Sequence, residues 1–178
     1  MVFVDPALEE KADVHFLGPY YPYKVRGAKN PKFDVYSGIV LDLKIDRKAA
    51  ALLYFYRRIN PLVHSDITVC TVPSSDPEKL ETGIRLLGMR LALNNRTDGT
   101  LCLVRTKSVT KATAGGPRSV AVHKDSTEVR EIEKVRDAEI LLLDDVTTSG
   151  ASMIAAKELL IAAGAASVKC LALGKTTH

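Results

Sequence analysis

The sequence predicts an α/β protein built on a parallel sheet flanked by helices. Two observations carry this. Four short apolar runs, ITVCTV (67–72), TLCLV (100–104), EILLL (139–143) and SVKCLAL (167–173), read as strands, the β-branched and all-aliphatic ones as strands buried on both faces. Helix-spaced apolar segments separate the first run from the second and the third from the fourth, and strand–helix–strand alternation implies parallel pairing. The ligand crevice of such a sheet lies beyond the C-terminal ends of its strands.

The elements follow in order. Residues 18–34, GPYYPYKVRGAKNPKFD, are rich in Gly, Pro and Tyr and read as an irregular arm. VYSGIVLDLK (35–44) has apolar residues at 35, 39, 41 and 43 and reads as a strand. From Asp46 to Ile59 the pattern is helical. Ala49, Leu52, Leu53 and Tyr56 share a face, and Arg57 and Arg58 sit near the end, where cations suit the helix dipole. After the strand at 67–72, Pro73, Ser74, Ser75, Asp76 and Pro77 break the chain. A helix is then expected over 78–93, with Leu80, Ile84, Leu87 and Leu91 on one side and Asn94, Asn95 and Gly99 ending it. RTKSVTKATAGGPRS (105–119) reads as a long loop. After the run at 139–143, a helix is expected from Gly150 to Ala163, aligned on Met153, Ala156, Leu160 and Ala163, with Gly164 as its stop.

Composition narrows the function classes. The chain has 178 residues, which fits one domain; 46% are hydrophobic and 26% charged, so there is enough apolar surface to offset the entropy of ordering. No apolar stretch reaches the roughly 20 residues of a membrane span, and the start, MVFVDPALEEKAD, lacks a basic leader with an apolar run. A soluble, cytoplasmic protein with no membrane partner is expected. Cys70, Cys102 and Cys170 are too far apart for a disulfide framework or a CxxC metal pair, and read as core residues. The net charge of +4 suits an anionic small molecule. A basic stripe interleaved with stacking rings is absent, so nucleic acid is not the favoured partner, though it stays open.

The segment that carries chemistry is ILLLDDVTTSGAS (140–152). Asp144 and Asp145 stand at the end of a buried strand. Val146, Thr147, Thr148, Ser149, Gly150, Ala151 and Ser152 then lead into a helix. Such a loop turns backbone N–H groups toward one point, at the positive end of a helix dipole, and so cradles a phosphate. Gly150 lets the backbone approach closely, and four hydroxyls add hydrogen bonds. Two acids beside a phosphate would repel it, so they serve another part of the same ligand. Vicinal sugar hydroxyls, which donate to carboxylates, fit. A phosphoacceptor receiver domain would also place Asp-Asp after an apolar strand, but no second acidic pair opens this chain. A merely capped turn needs one hydroxyl, not four with two acids.

This stretch resembles the phosphoribosyl-pyrophosphate (PRPP) motif of type I phosphoribosyltransferases, and the N-terminal part and short C-terminus are closest to the ComF-like branch. The resemblance implies that Asp144 and Asp145 contact the ribose 2- and 3-hydroxyls and that residues 146–152 wrap the 5-phosphate. It implies a fold with a small N-terminal hood: residues 1–60 as arm and hood, with Tyr20, Tyr21, Tyr23, Phe33 and Tyr36 as stacking surfaces for a base, and 61–178 as the core. It also implies transfer of the phosphoribosyl group to a nitrogenous base with release of pyrophosphate. Some relatives carry an acid where Thr148 stands, and Thr148 cannot replace it, which argues against a hypoxanthine–guanine type of salvage enzyme. Some ComF-like members have no demonstrated transferase activity. A non-catalytic protein acting in nucleotide sensing, DNA uptake or another DNA process is therefore the alternative.

The same resemblance assigns supporting positions. Ser74 and Ser75 fall at the family's pyrophosphate loop; a polar turn is the alternative. Lys107, Lys111 and Arg118 fall in its catalytic loop, a basic lid whose closure would strengthen charge interactions with the leaving group; a solvated loop is the alternative. His123 reads as a phosphate contact or a simple cap, and Lys44 as a family lysine or a strand end. With no HxxxH, HExxH or Asp/His cluster, no protein metal site is expected, and Mg²⁺ would be held mainly through PRPP. PRPP or a nucleotide 5′-phosphate is the expected ligand, with a base acceptor and a homodimer left open.

Overall fold

A computed structural model describes residues 1–10, 14–109 and 119–177. Its centre is a parallel sheet in the order β1-β10-β9-β5-β6, made of β1 (Val14–Phe16), β10 (Ser167–Thr176), β9 (Glu139–Thr147), β5 (Thr68–Thr71) and β6 (Thr97–Gly99). A short β2 (Pro19–Tyr20) continues the edge beside the end of β10. This is the α/β parallel sheet that the sequence predicts.

The strand pattern explains the layering. Successive side chains of a strand point to opposite faces, and the apolar runs split accordingly. Val69, Leu141, Leu143, Leu171 and Leu173 pack into one cluster with Val2, Phe3, Val40, Leu43, Phe55, Ile59 and Leu87. Cys70, Ile140, Leu142, Cys170 and Ala172 pack into the other with Met153, Ala156, Leu160 and Val135. Each fully buried aliphatic contributes roughly 1.5–3 kcal/mol. The first cluster is covered by α2 (Val35–Leu41), α3 (Ala49–Ile59) and α4 (Gly83–Ala92), the second by α6 (Ala151–Ala162). Residues of the first sixty thus fill one face of the same sheet.

Several elements differ from expectation. Residues 35–44 are helical, not a strand. Asp34 caps α2 by accepting from the Ser37 amide at 2.7 Å, and Ser37, Val40 and Leu43 are buried at helical spacing, while Val35 lies exposed. A π-helical turn, Asp42–Asp46, continues α2. The following helix starts at Ala49, and its buried face is Ala51, Phe55 and Ile59, not the face expected. Helix α4 begins at Gly83 instead of 78, because Thr82 caps it and residues 73–82 form an irregular turn with Leu80 exposed. The run at 100–104 is no core strand. The core strand is the polar β6 just before it. Leu103–Arg105 forms β7, which pairs antiparallel with β8 (Thr127–Val129) outside the sheet. The arm holds a two-residue hairpin between β3 (Lys24–Val25) and β4 (Ala28–Lys29). A short helix, α5 (Val120–Asp125), precedes β8, and α1 (Pro6–Glu10) follows the N-terminus.

The π-helical turn sits against the start of α4 by virtue of one glycine. A Cβ on Gly83 would fall 2.0 Å from the Leu43 carbonyl oxygen. Backbone cannot yield as a flexible side chain does, so Gly83→Ala is expected to cost about 1–3 kcal/mol. A lower denaturation midpoint with an unchanged urea slope would show it; a midpoint equal to the wild type would contradict the packing.

Candidate functional site

Strand β9 extends beyond the expected run at 139–143. It carries Asp144, Asp145, Val146 and Thr147 within the ladder, with Asp144 opposite Ala172, Val146 opposite Gly174 and Thr147 opposite Lys175 of β10. The acid pair is therefore fixed on sheet backbone instead of hanging on a loop. The turn proper is Thr148, Ser149 and Gly150. Gly150 is left-handed, with φ +82° and ψ −4°, and precedes α6 without a side-chain cap. Space exists for a Cβ there; the positive φ is what favours glycine. Ala151 follows as the first buried residue of α6.

The hydroxyls divide their work. Thr147 is buried, and its Oγ1 has no partner. Thr148 Oγ1 lies 2.9 Å from Thr176 Oγ1. Ser149 Oγ accepts from the Ala151 amide at 3.4 Å. Ser152 turns its hydroxyl to Asp144 Oδ2 at 3.5 Å, so it serves the acid rather than standing free for a phosphate.

The two acids differ in surroundings. Asp144 is half-buried, and Oδ1 accepts from the Asp145 amide at 2.8 Å. Burial, then the charge of Asp145, pushes its carboxyl up to about 7; Lys44, the Asp145 amide and Ser152 act the other way. Asp145 receives Lys44 Nζ at 2.7 Å on Oδ1. Lys44 thus joins the site from the π-helical turn, a form of helix that recurs at functional positions.

The turn after β5 lies beside a small cavity of about 30 Å³, lined among others by Thr71, Ser74, Asp76, Arg85, Thr100 and Arg105. Ser74 and Ser75 belong to this turn. The Ser75 carbonyl accepts from the Val109 amide at 3.0 Å, which ties the segment bearing exposed Lys107 to the turn. Lys111 and Arg118 lie outside the described residues.

Arg105 is the residue that sequence reasoning passed over. It is buried, and donates from Nε to the Ser74 carbonyl at 3.0 Å, and from Nη1 to Ser126 Oγ at 2.7 Å and Thr127 Oγ1 at 2.8 Å. Burial lowers its proton affinity, with the charge of Asp144 opposing. Burial, then Arg105, also lowers that of His123, whose Nδ1 is buried without a partner. The ring candidates in the arm are partly committed elsewhere. Tyr20 is buried, the Tyr36 hydroxyl donates to the Leu173 carbonyl, and Tyr23 packs edge-on against Phe33 with centroids 5.1 Å apart. Among the described residues no group of three or more His, Cys, Asp or Glu side chains could hold a metal ion, and no helix is long and apolar enough to cross a membrane.

A parallel sheet, an acid pair near the end of a central strand and a turn opening into an uncapped helix define an α/β protein whose crevice lies beyond its strand ends. A family model of the phosphoribosyl transferase domain matches residues 84–176, just over half of the chain and the whole of the loop described above. The chain belongs to that family, in its type I fold. No curated protein matches it.

Proposed function

We propose that this protein binds PRPP and transfers its phosphoribosyl group to a nitrogenous base with release of pyrophosphate. The observation that carries this reading is the acid pair on rigid sheet backbone, one short turn ahead of an uncapped helix N-terminus. The 5-phosphate lies on the amides of residues 148–152, where the helix dipole favours an anion. The ribose 2- and 3-hydroxyls donate to Asp144 and Asp145, and the acids' negative charge favours the oxocarbenium character that develops on the ring. The C1–O bond to pyrophosphate breaks as a C1–N bond to the base forms. The turn 73–77, Lys107 and the basic segment beyond it receive the leaving group, with Lys111 and Arg118 as further cations. Mg²⁺, carried by the pyrophosphate and ribose oxygens, would neutralise part of the departing charge. The chain's own work is positioning and electrostatics, which together account for most of the rate in such displacements.

Calorimetry with PRPP and Mg²⁺, followed by a pyrophosphate-release screen over bases, tests the proposal. Binding with release for at least one base is the expected result. PRPP bound and never consumed would select the non-catalytic ComF-like reading. No binding of PRPP or of any nucleotide 5′-phosphate would remove both.

A further inference from the structure

The Lys44–Asp145 contact joins two parts of the chain a hundred residues apart, and nothing in the catalytic scheme above uses it. Three features build it. The π-helical turn Asp42–Asp46 widens the end of α2, with the Arg47 amide reaching back to the Asp42 carbonyl and Arg47 itself at φ +53°. Lys48 Nζ clamps this turn from outside, 2.7 Å from Asp42 Oδ1 and 3.6 Å from Asp46 Oδ2. Gly83 allows the Leu43 carbonyl to press onto the start of α4. Lys44 is thereby held with Nζ on Asp145 Oδ1 at 2.7 Å, while Leu43 packs inward, Asp42 and Asp46 pair with Lys48 and Ile45 lies exposed.

We propose that Lys44 is a positioning residue of the phosphoribosyl site: its ammonium holds Asp145 in place and supplies positive charge that favours the ionised form of Asp144 when a ribose diol docks. This rests on the phosphoribosyl reading. Two adjacent carboxylates resist double ionisation, and an opposite charge within hydrogen-bond distance offsets that resistance. The groups facing the pair are few: Lys44 from the π-helical turn, Tyr20 from β2, Ser152 from α6 and, at longer range, Arg105 from β7. From β10, Lys175 faces elsewhere, with Nζ 5.3 Å from the Phe16 ring centre. Lys44 is the one cation in hydrogen-bond contact with either acid among the described residues. The Asp144 carboxyl, held up near 7, is the group whose charge state Lys44 tips toward ionised. A diol donates two hydrogen bonds and needs acceptors, so affinity should rise as Asp144 loses its proton.

The test compares wild type, K44M and K44R. Ribose 5-phosphate affinity is measured by calorimetry between about pH 5.5 and 9, and the Asp144 carboxyl is titrated by carbon-detected NMR in the free proteins. The ligand's phosphate titrates near pH 6 for all three, so differences between variants isolate the protein. In K44M both the affinity midpoint and the Asp144 midpoint are expected to move up by about one pH unit, and K44R should restore both. A lysine with a merely structural role would change the plateau affinity and leave the midpoints alone. Binding by the wild type with unmoved K44M midpoints overturns the role of Lys44 while sparing the phosphoribosyl reading. No ribose 5-phosphate binding by the wild type at any pH overturns that reading, and this role with it.

Discussion

Asp144→Asn is expected to raise the melting temperature at pH 8 while removing most of the affinity for PRPP. The stability half follows from proton linkage. The folded protein holds the Asp144 carboxyl near 7, against 3.8 for an unperturbed acid. Between those values the folded state binds a proton that the unfolded state has released, so stability falls as pH rises from about 4 to 7. Three units correspond to an upper bound of about 4 kcal/mol; solvent access to a half-buried group reduces this, and about 2 kcal/mol is a fair expectation. Asparagine keeps an oxygen to accept from the Asp145 amide and removes the charge. The variant should therefore gain about 4–8 °C at pH 8 and clearly less at pH 5, where the wild-type carboxyl is already protonated. The functional half follows from losing a charged acceptor, worth about 1.5–3 kcal/mol per hydrogen bond, or about tenfold to a hundredfold in affinity. With Asp145→Asn added, binding should fall below detection while the fold remains. An equal shift in melting temperature at both pH values would contradict the linkage. Unchanged PRPP affinity in the double variant would contradict the assignment of the acids.

These opposed pH trends show why the sequence was legible where it was. A run such as ILLL followed by Asp-Asp breaks the expectation that charge avoids a buried strand, and such breaks concentrate at sites. The ladder as far as Lys175 was not legible, because β9 gives no compositional sign that its acids remain paired in the sheet. Residues 35–44 misled because apolar residues at 39, 41 and 43 mimic a strand. The decisive signal was the Asp34 cap and the spacing of Ser37, Val40 and Leu43. That same misreading hid the partner of Lys44, which the sequence offers as a family lysine or a strand end: a strand end had no reason to meet Asp145, whereas the π-helical turn delivers it there. Strand β6, Thr-Asp-Gly, is invisible to hydrophobic patterning because it pairs only at the sheet edge. Arg105 was passed over because a cation heading a basic run reads as solvated. Nothing in Leu-Val-Arg marks the third residue as buried; the alternation of buried Leu103, half-buried Val104 and buried Arg105 shows only in the structure.

Arg105→Ala is expected to be the most damaging single change outside the hydrophobic clusters. The guanidinium joins three segments that are distant in sequence: the Ser74 carbonyl in the turn after β5, its own strand β7, and Ser126 and Thr127 at the start of β8. Holding a charge there carries a desolvation cost, which is why its proton affinity falls. Removing the charge relieves that cost, but leaves a cavity and several buried oxygens without their donor. Charge-assisted bonds contribute about 1.5–3 kcal/mol each, so the loss outweighs the relief, for a net of about 3 kcal/mol. In a chain of this size that lowers the melting temperature by roughly 6–12 °C. Arg105→Lys discriminates between charge and shape. It keeps the cation, but a single ammonium cannot span acceptors that a planar fork reaches in two directions, so it should recover less than half of the loss. Both variants should also release the Ser74–Ser75 turn, and so weaken PRPP more than ribose 5-phosphate, which lacks the pyrophosphate. Melting within about 1 °C of the wild type for Arg105→Ala would mean that the turn is held by its own backbone. Equal losses for the two ligands would place Arg105 in the scaffold alone, with no bearing on the leaving group.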